Sequence, residues 1–545
     1  MISLLWPYGT PPAAPPAPWV TDLTLESIIQ ALSLNARYAG ATRAVLSDLC
    51  RDLPTITARQ ELLADLLAAP ELAAQLEAVL PDLAAAALAG TARWADEDAI
   101  FQIAGRLREL ESYIGAIKAA GAALDAAAPG LTAAGWRQLQ QELAGLAAEP
   151  SFRALEAELP QLRAQLDRAA SVTLGINLDP QLRPQSATLI SINPSRFNGP
   201  RSLFGRIFGG DLDGQSGLSP LRSADERQAF GPDRRLFLDL AALLENVTTP
   251  IAEALTRYAR LHGAPLARLE AELAFLLGAA RFVQSRQEAG LILTRPSLAP
   301  PEARLIVAEG LYNLELALRL RHAPPGVDLP ATAVPNDIAF DDTAGRIFIL
   351  TGPNRGGKTT YMRAIGQAVV LAQAGLPLPA SSATISPVRA IFTLFPAAER
   401  AEIGKGRLDE EAAQLATIVQ QADAEALVLL NEPLGSTSPR EATTIAGDVL
   451  CGLRMIGARA ILVTHVHELA YNAAELNRRV TGPSTITTLV AGASADNPDH
   501  AIRTYQVTAG LPDGRSYAAD IALAHGLHLE QIEATLRARG IIDTE

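Results

Sequence analysis

The run Gly352-Pro353-Asn354-Arg355-Gly356-Gly357-Lys358-Thr359 fits the spacing G-x-x-x-x-G-K-[ST]. Those residue types at that spacing suit a di- or triphosphate. Glycines let backbone N–H groups close around the phosphates, the lysine reaches the β- and γ-phosphates, and the hydroxyl binds Mg²⁺. Here Lys358 and Thr359 take those roles. The flanks agree. Arg346 to Thr351 contains the apolar run Ile347-Phe348-Ile349-Leu350, which predicts a short strand, and a helical run follows from Tyr361 to Ala374. A helix start aimed at the loop adds its own attraction for an anion.

Phosphoryl chemistry needs a second strand that ends in acid, to hold the metal and orient water. Ala426-Leu427-Val428-Leu429-Leu430 predicts a buried strand ending in Asn431-Glu432. Glu432 is the candidate general base. Asn431 is unusual, because the place normally carries an aspartate whose charge organises the Mg²⁺ shell. An amide keeps the hydrogen bonds and loses the charge, so weaker metal binding and slower turnover are expected. The candidate metal set is Thr359, Asn431 and Glu432. A third strand, Arg459 to Thr464, leads into His465, which is placed to reach a γ-phosphate. His467 reads as a surface residue at a helix start.

Elements must position these groups. The chain has 545 residues, 48% of them hydrophobic and 19% charged, enough for about two to four domains with substantial cores. Two textures divide it. From about Thr21 to Leu320 it is rich in Leu, Ala, Arg and Glu; from about Val334, apolar runs alternate with helical stretches and glycine turns. Near Asp98 to Ala126, the residues Ile100, Ile103, Leu107, Leu110, Ile114 and Ile117 step by threes and fours. That seam predicts a long helix packed along its length. Leu266, Leu269, Leu273, Leu276 and Val283 predict a second, over Pro265 to Ala289. Between them, Ser171 to Pro232 differs in character. Leu174, Ile176 and Leu178 alternate ahead of Asp179-Pro180, which predicts a hairpin. Arg196, Arg201 and Arg206 then lie among Phe197 and Phe204 with no acid between them, candidates for phosphate contact beside aromatics that could stack on bases. The expected organisation is an all-α core and lever domain joined to an α/β ATPase domain. In numbers, that is a loose Pro-rich start over 1–20, the helical domain over 21–330 with an insertion near 171–232, and the P-loop domain over 331–545.

Composition excludes several classes. Two cysteines, Cys50 and Cys451, make no disulfide framework, and the seven histidines show no paired metal spacing, which suits a reducing cytoplasmic setting. No apolar run reaches the roughly 18 residues of a membrane span. Six prolines from Pro7 to Pro18 and no basic start argue against a signal peptide. A formal charge of −13 excludes a generally basic surface while leaving room for a local basic groove.

The stretch from Gly352 through Thr360-Tyr361-Met362-Arg363 closely resembles the phosphate loop and following helix of the MutS family. Val334-Pro335-Asn336-Asp337-Ile338 resembles that family's nucleotide-pocket segment, so Asn336 joins the candidate nucleotide contacts. Ile391-Phe392-Thr393, Leu427 to Glu432, Ser436-Thr437-Ser438, Thr464-His465 with Glu468-Leu469, and Arg515-Ser516-Tyr517-Ala518 with Ala522-Leu523-Ala524 resemble later segments of its ATPase domain. The resemblance covers about Val334 to Gly540, and more weakly Asp52 to Asp82. It implies an ABC-like ATPase that uses ATP and Mg²⁺, homodimerises, and drives helical arms that clamp DNA in repair or recombination, with a downstream repair protein as a further partner. It also implies that each site is completed across the dimer by Gly404-Lys405-Gly406-Arg407, where Gly406 replaces the usual serine. No segment resembles the family's mismatch reader, so a shortened form is expected. The L-S-G-G-Q run of transporters is absent. The alternative from another class is an ATP-binding scaffold for a protein partner, with no nucleic-acid role.

Overall fold

The computed structural model describes residues 3–9, 17–87, 99–167, 171–181, 184–193, 195, 263–320, 333–354, 356–396, 406–494, 502–512, 525–539 and 541–542. These residues form two compact units. The first holds 74–131 and 136–273, and the second holds 3–73, 132–135 and 274–545.

The first unit is helical. The helix Ala99–Ala127 is joined by Ala134–Ala148 and Pro150–Asp167. The seam predicted for the long helix faces inward over its described part: Leu107, Leu110, Ile114 and Ile117 are all buried. Tyr113 packs on Phe152 with ring centroids 5.8 Å apart, joining the first and third of these helices. The predicted hairpin is β1 (Ser171–Leu178) paired antiparallel with β2 (Pro184–Asn193). Arg196, Arg201 and Arg206 lie outside the described residues. The second predicted long helix runs Gly263–Glu288 and continues into the second unit.

The second unit holds the described residues nearest the N-terminus, and residues 3–6 of the expected loose start are packed, which corrects that expectation for them. Leu4 and Leu5 are buried. Trp6 Nε1 donates to Asp48 Oδ2 at 2.7 Å. Arg59 is buried and donates to Leu5 O at 2.7 Å, Gln373 O at 3.1 Å and Asp48 Oδ2 at 3.0 Å. The prolines suggested looseness, but the apolar run Leu4-Leu5-Trp6 has a buried surface to join, and burying it outweighs the entropy of ordering a few residues. The boundary expected near residue 330 is also not where the units divide. β3 (Ser297–Leu298), β4 (Ile306–Leu311), β5 (Asn336–Phe340) and β7 (Ser382–Ile385) form one four-stranded sheet that spans it, in the order β3-β7-β4-β5. Short strands leave too few residues for alternation to register.

The larger sheet has the order β12-β11-β6-β10-β9-β8. Its strands are β6 (Ile347–Thr351), β8 (Ile391–Leu394), β9 (Leu427–Asn431), β10 (Arg459–Val463), β11 (Ile486–Ser494) and β12 (Ile502–Ala509). All neighbours are parallel except β11 and β12. β6, β9 and β10 are buried at every position, the result expected of continuous apolar runs covered on both faces. Ile347, Ile349, Val428, Leu430, Ala460 and Leu462 share one core with residues of the helices Arg407–Gln421 and Pro439–Ile456. The opposite face takes the helix Lys358–Gln373, where Gly366 lies against Leu429. Sheet and helices therefore deliver the ends of β6, β9 and β10 to one edge. Among the described residues, no helix is long and apolar enough to cross a membrane.

Candidate nucleotide site

β6 ends at Thr351 and the chain turns at Gly352, whose φ is +131°. A Cβ there would stand 2.7 Å from Ala491 O, so glycine is required for both conformation and space. Gly357, with φ +88°, immediately precedes the helix that starts at Lys358, three residues earlier than the sequence suggested. Lys358 Nζ donates to Gly352 O and Pro353 O, each at 2.8 Å, and so bridges the loop carbonyls. Burial lowers its ammonium pKa to about 8, with Glu432 acting in the opposite direction. Beside the loop lies a cavity of about 480 Å³ walled by Asn336, Asn354, Lys358, Thr360, Glu432 and Tyr505.

The polar pair predicted at the end of β9 faces this loop. The Thr359 hydroxyl donates to Asn431 Oδ1 at 3.1 Å. Asn431 also lines a neighbouring cleft of about 940 Å³, with Asp22, Arg363, Thr393 and Gln414. Glu432 departs from the strand with φ +53°, and its N–H still donates to Val463 O at 2.9 Å. This left-handed conformation is costly for a residue with a Cβ, and it turns the carboxylate off the line of the strand. His465 Nε2 meets Glu432 Oε1 at 2.6 Å. That hydrogen bond is the main cause holding the Glu432 carboxyl below its ordinary range, with smaller charge effects from His465 and Lys358. Thr359 and Asn431 offer the hydroxyl and amide oxygens that Mg²⁺ accepts. Of the three candidate metal residues, only Glu432 carries charge, and it is occupied by His465.

The structure thus brings together Gly352, Pro353, Asn354, Gly356, Gly357, Lys358, Thr359, Thr360, Asn431, Glu432 and His465. Asn336 joins them through its side chain, which grips the backbone of β12. Its side chain donates to Tyr505 O at 3.1 Å and accepts from Val507 N–H at 2.7 Å, fixing β12 against the cavity. Arg355, Gly404 and Lys405 lie outside the described residues. Gly406 directly precedes the helix Arg407–Gln421 and is exposed. His467 starts the helix His467–Tyr471, as read from the sequence.

Three contacts are not foreseen from the sequence, although Glu411 is the last residue of the expected signature segment that starts at Gly404. Tyr505 lines the cavity, its ring against Gly357, with φ +55°. A lone tyrosine in a β-rich stretch carries no motif. Glu411 Oε2 accepts from Leu434 N–H at 2.8 Å, tying the helix Arg407–Gln421 to the turn after Glu432. Asp22 Oδ2 accepts from the Thr393 hydroxyl at 2.6 Å, while Arg363 Nε donates to Asp22 O at 2.7 Å. Arg363 had appeared only as part of a family motif, and its partner lies in the N-terminal helix Trp19–Asp22.

Fold and site define a class: a helical region followed by an α/β domain whose glycine loop joins a central strand to a helix. The MutS domain V model matches residues 348–539 and the MutS2 N-terminal domain model matches residues 51–288. Over these two stretches the chain is similar to domains of MutS-family proteins. Among its relatives are an endonuclease MutS2 of Thermomicrobium roseum, 35% identical over 39% of this chain and 25% of that protein. A DNA mismatch repair protein MutS 2 of Halobacterium salinarum is 33% identical over 38% of this chain and 23% of its own length. A DNA mismatch repair protein MutS of Chlorobium chlorochromatii is 30% identical over 60% of this chain and 34% of its own length. The chain thus spans between about a quarter and a third of these relatives' length.

Proposed function

We propose that this chain is a MutS-like ATPase whose nucleotide state controls its grip on DNA, in repair or recombination. One observation carries the reading. The glycine loop, with Lys358 and Thr359 at its helix start, faces Asn431, Glu432 and His465 inside a segment similar to MutS domain V. In this reading residues 352–360, including Arg355, cradle the phosphates of ATP, with Asn336 and Tyr505 bounding the rest of the nucleotide. Lys358 leaves the loop carbonyls for the β- and γ-phosphates. Glu432 accepts a proton from the attacking water, and His465 holds its carboxylate ionised and aimed. Mg²⁺, when bound, neutralises phosphate charge; Thr359 and Asn431 would hold it, with Glu432 near. The unit that holds the P-loop pairs with its copy in a homodimer, and Gly404, Lys405, Gly406 and Arg407 of one copy complete the site of the other. The helical unit carries the arms, and Arg196, Arg201 and Arg206 meet DNA phosphates.

Fluorescence anisotropy with labelled duplex, mismatched duplex and four-way junction, with and without ATP at two salt concentrations, tests this. Salt-sensitive binding that responds to ATP, and whose response is altered in both Lys358→Ala and Glu432→Ala, is the expected result. Saturable ATP binding with no affinity for any of the three DNAs would overturn the DNA part and leave an ATP-binding scaffold for a protein partner.

A further inference from the structure

We infer that nucleotide binding by this chain depends little on Mg²⁺, because Asn431 makes the metal position beside Thr359 neutral. The inference rests on the nucleotide site proposed above and concerns its regulation. Asn431 Oδ1 and the Thr359 hydroxyl bond each other directly at 3.1 Å. An aspartate in place of Asn431 would put a full negative charge there, which a divalent cation would have to offset before a triphosphate could settle next to it. The amide imposes no such requirement.

The nearby acids are already engaged by other partners. Glu432 is bonded to His465 at 2.6 Å. Asp22, the carboxylate that lines the cleft next to Asn431, accepts from Thr393 at 2.6 Å, and burial pushes its carboxyl above the ordinary range despite that bond and Arg363. Among the described residues, no group of three His, Cys, Asp or Glu could hold a metal ion. Meanwhile the attraction for phosphate comes from groups that need no metal: the Lys358 ammonium, the open N–H groups at the start of the helix Lys358–Gln373, and the loop backbone. Binding energy therefore resides in the protein, and the metal adds only what two neutral oxygens give it.

Substitution then has an asymmetric effect. In Asn431→Asp the new charge repels a metal-free triphosphate at close range and attracts the same triphosphate when Mg²⁺ stands between them. One substitution should weaken binding in chelator and preserve or strengthen it in Mg²⁺. Two charges a few ångströms apart in a partly buried site interact strongly enough to separate the two conditions by about tenfold or more.

The test is equilibrium binding of a fluorescent ATP analogue to the full chain in excess Mg²⁺ and in EDTA, for wild type, Asn431→Asp and Lys358→Ala. Dissociation constants within about threefold of each other for wild type, separating to about tenfold or more in Asn431→Asp, are expected. A wild-type affinity that falls more than about tenfold in EDTA overturns the inference while leaving the nucleotide site intact. So does an Asn431→Asp protein, folded by circular dichroism, whose two constants remain together. Absence of saturable binding in every condition, with Lys358→Ala indistinguishable from wild type, overturns the nucleotide site and the inference with it.

Discussion

His465 Nε2 stands 2.6 Å from Glu432 Oε1, and this contact is the main reason the Glu432 carboxyl titrates below its ordinary range. In the proposed hydrolysis Glu432 must be ionised to accept a proton, so the histidine would extend the acid side of the working range. Removing it in His465→Ala lets burial dominate and raises the carboxyl pKa. The acid limb of the kcat against pH profile should move to higher pH in that variant. Glu432→Gln should lower kcat by about a hundredfold or more while leaving ATP affinity within about threefold. Phosphate release between pH 4 and 8 checks both, and an acid limb unmoved in His465→Ala would show that Glu432 does not set it.

Lys358 supplies a second pH dependence, with the opposite sense. Its ammonium is lowered to about 8 by burial. Below that pH the site already carries the charge that a triphosphate needs. Above it, binding must first take up a proton, so ATP affinity should fall by up to about tenfold per pH unit as pH rises from 8 toward 9.5. Lys358→Arg keeps its charge across this range, so any affinity it retains should be flat in pH. For stability the direction reverses: between about 8 and 10.5 the unfolded lysine holds a proton that the native one lacks, so the fold gains stability as pH rises. Titration of ATP-analogue binding and of denaturation midpoints at matched pH separates the two.

The strand Leu427–Asn431 and its neighbours were legible because a parallel strand buried on both faces must be apolar throughout, and its polar end then marks the site edge. The loop was legible because phosphate geometry fixes residue types at fixed offsets. What could not be read was contact across long sequence distances. Nothing local in Leu23 points to Gly366, and nothing in Arg59 announces Leu5 O, Asp48 and Gln373 O as its partners. The same limit hid Tyr505, whose place depends on how β12 lies against β11, and hid the four-stranded sheet, whose strands come from both sides of the expected boundary.

Leu23 and Gly366 make that hidden contact measurable. Leu23 is fully buried, and a Cβ on Gly366 would come within 2.5 Å of its Cδ2. Gly366→Ala should cost about 1–3 kcal/mol through overpacking, and Leu23→Ala about 2–5 kcal/mol through the cavity it leaves. The added methyl partly fills that cavity, so the double variant should be less destabilised than the sum of the singles by about 1 kcal/mol or more. Strict additivity in urea denaturation would mean the two residues do not share this space. The contact also predicts that a fragment starting at residue 331 fails to fold, because Gln367 Nε2 loses Leu23 O, its acceptor at 2.9 Å, and Arg363 loses Asp22 O.

Tyr505 and Asn336 offer a test of the cavity wall that is separate from the phosphate loop. The tyrosine ring borders Gly357, and its backbone oxygen is held by Asn336, which is itself buried. If the ring supports the nucleotide, Tyr505→Ala should weaken ATP binding by about tenfold, the scale of one lost aromatic contact, and Tyr505→Phe should restore it. Asn336→Ala acts differently. It strands the Val507 N–H and removes a buried donor, so it should destabilise the fold by about 1–3 kcal/mol and weaken binding only as β12 shifts. Tyr505→Gly separates ring from backbone, because glycine accepts φ +55° without strain. It should therefore lose affinity as Tyr505→Ala does while costing no more stability than that variant. Wild-type affinity in all three Tyr505 variants, measured by titration calorimetry, would remove the ring from the nucleotide site and leave it a surface residue of β12.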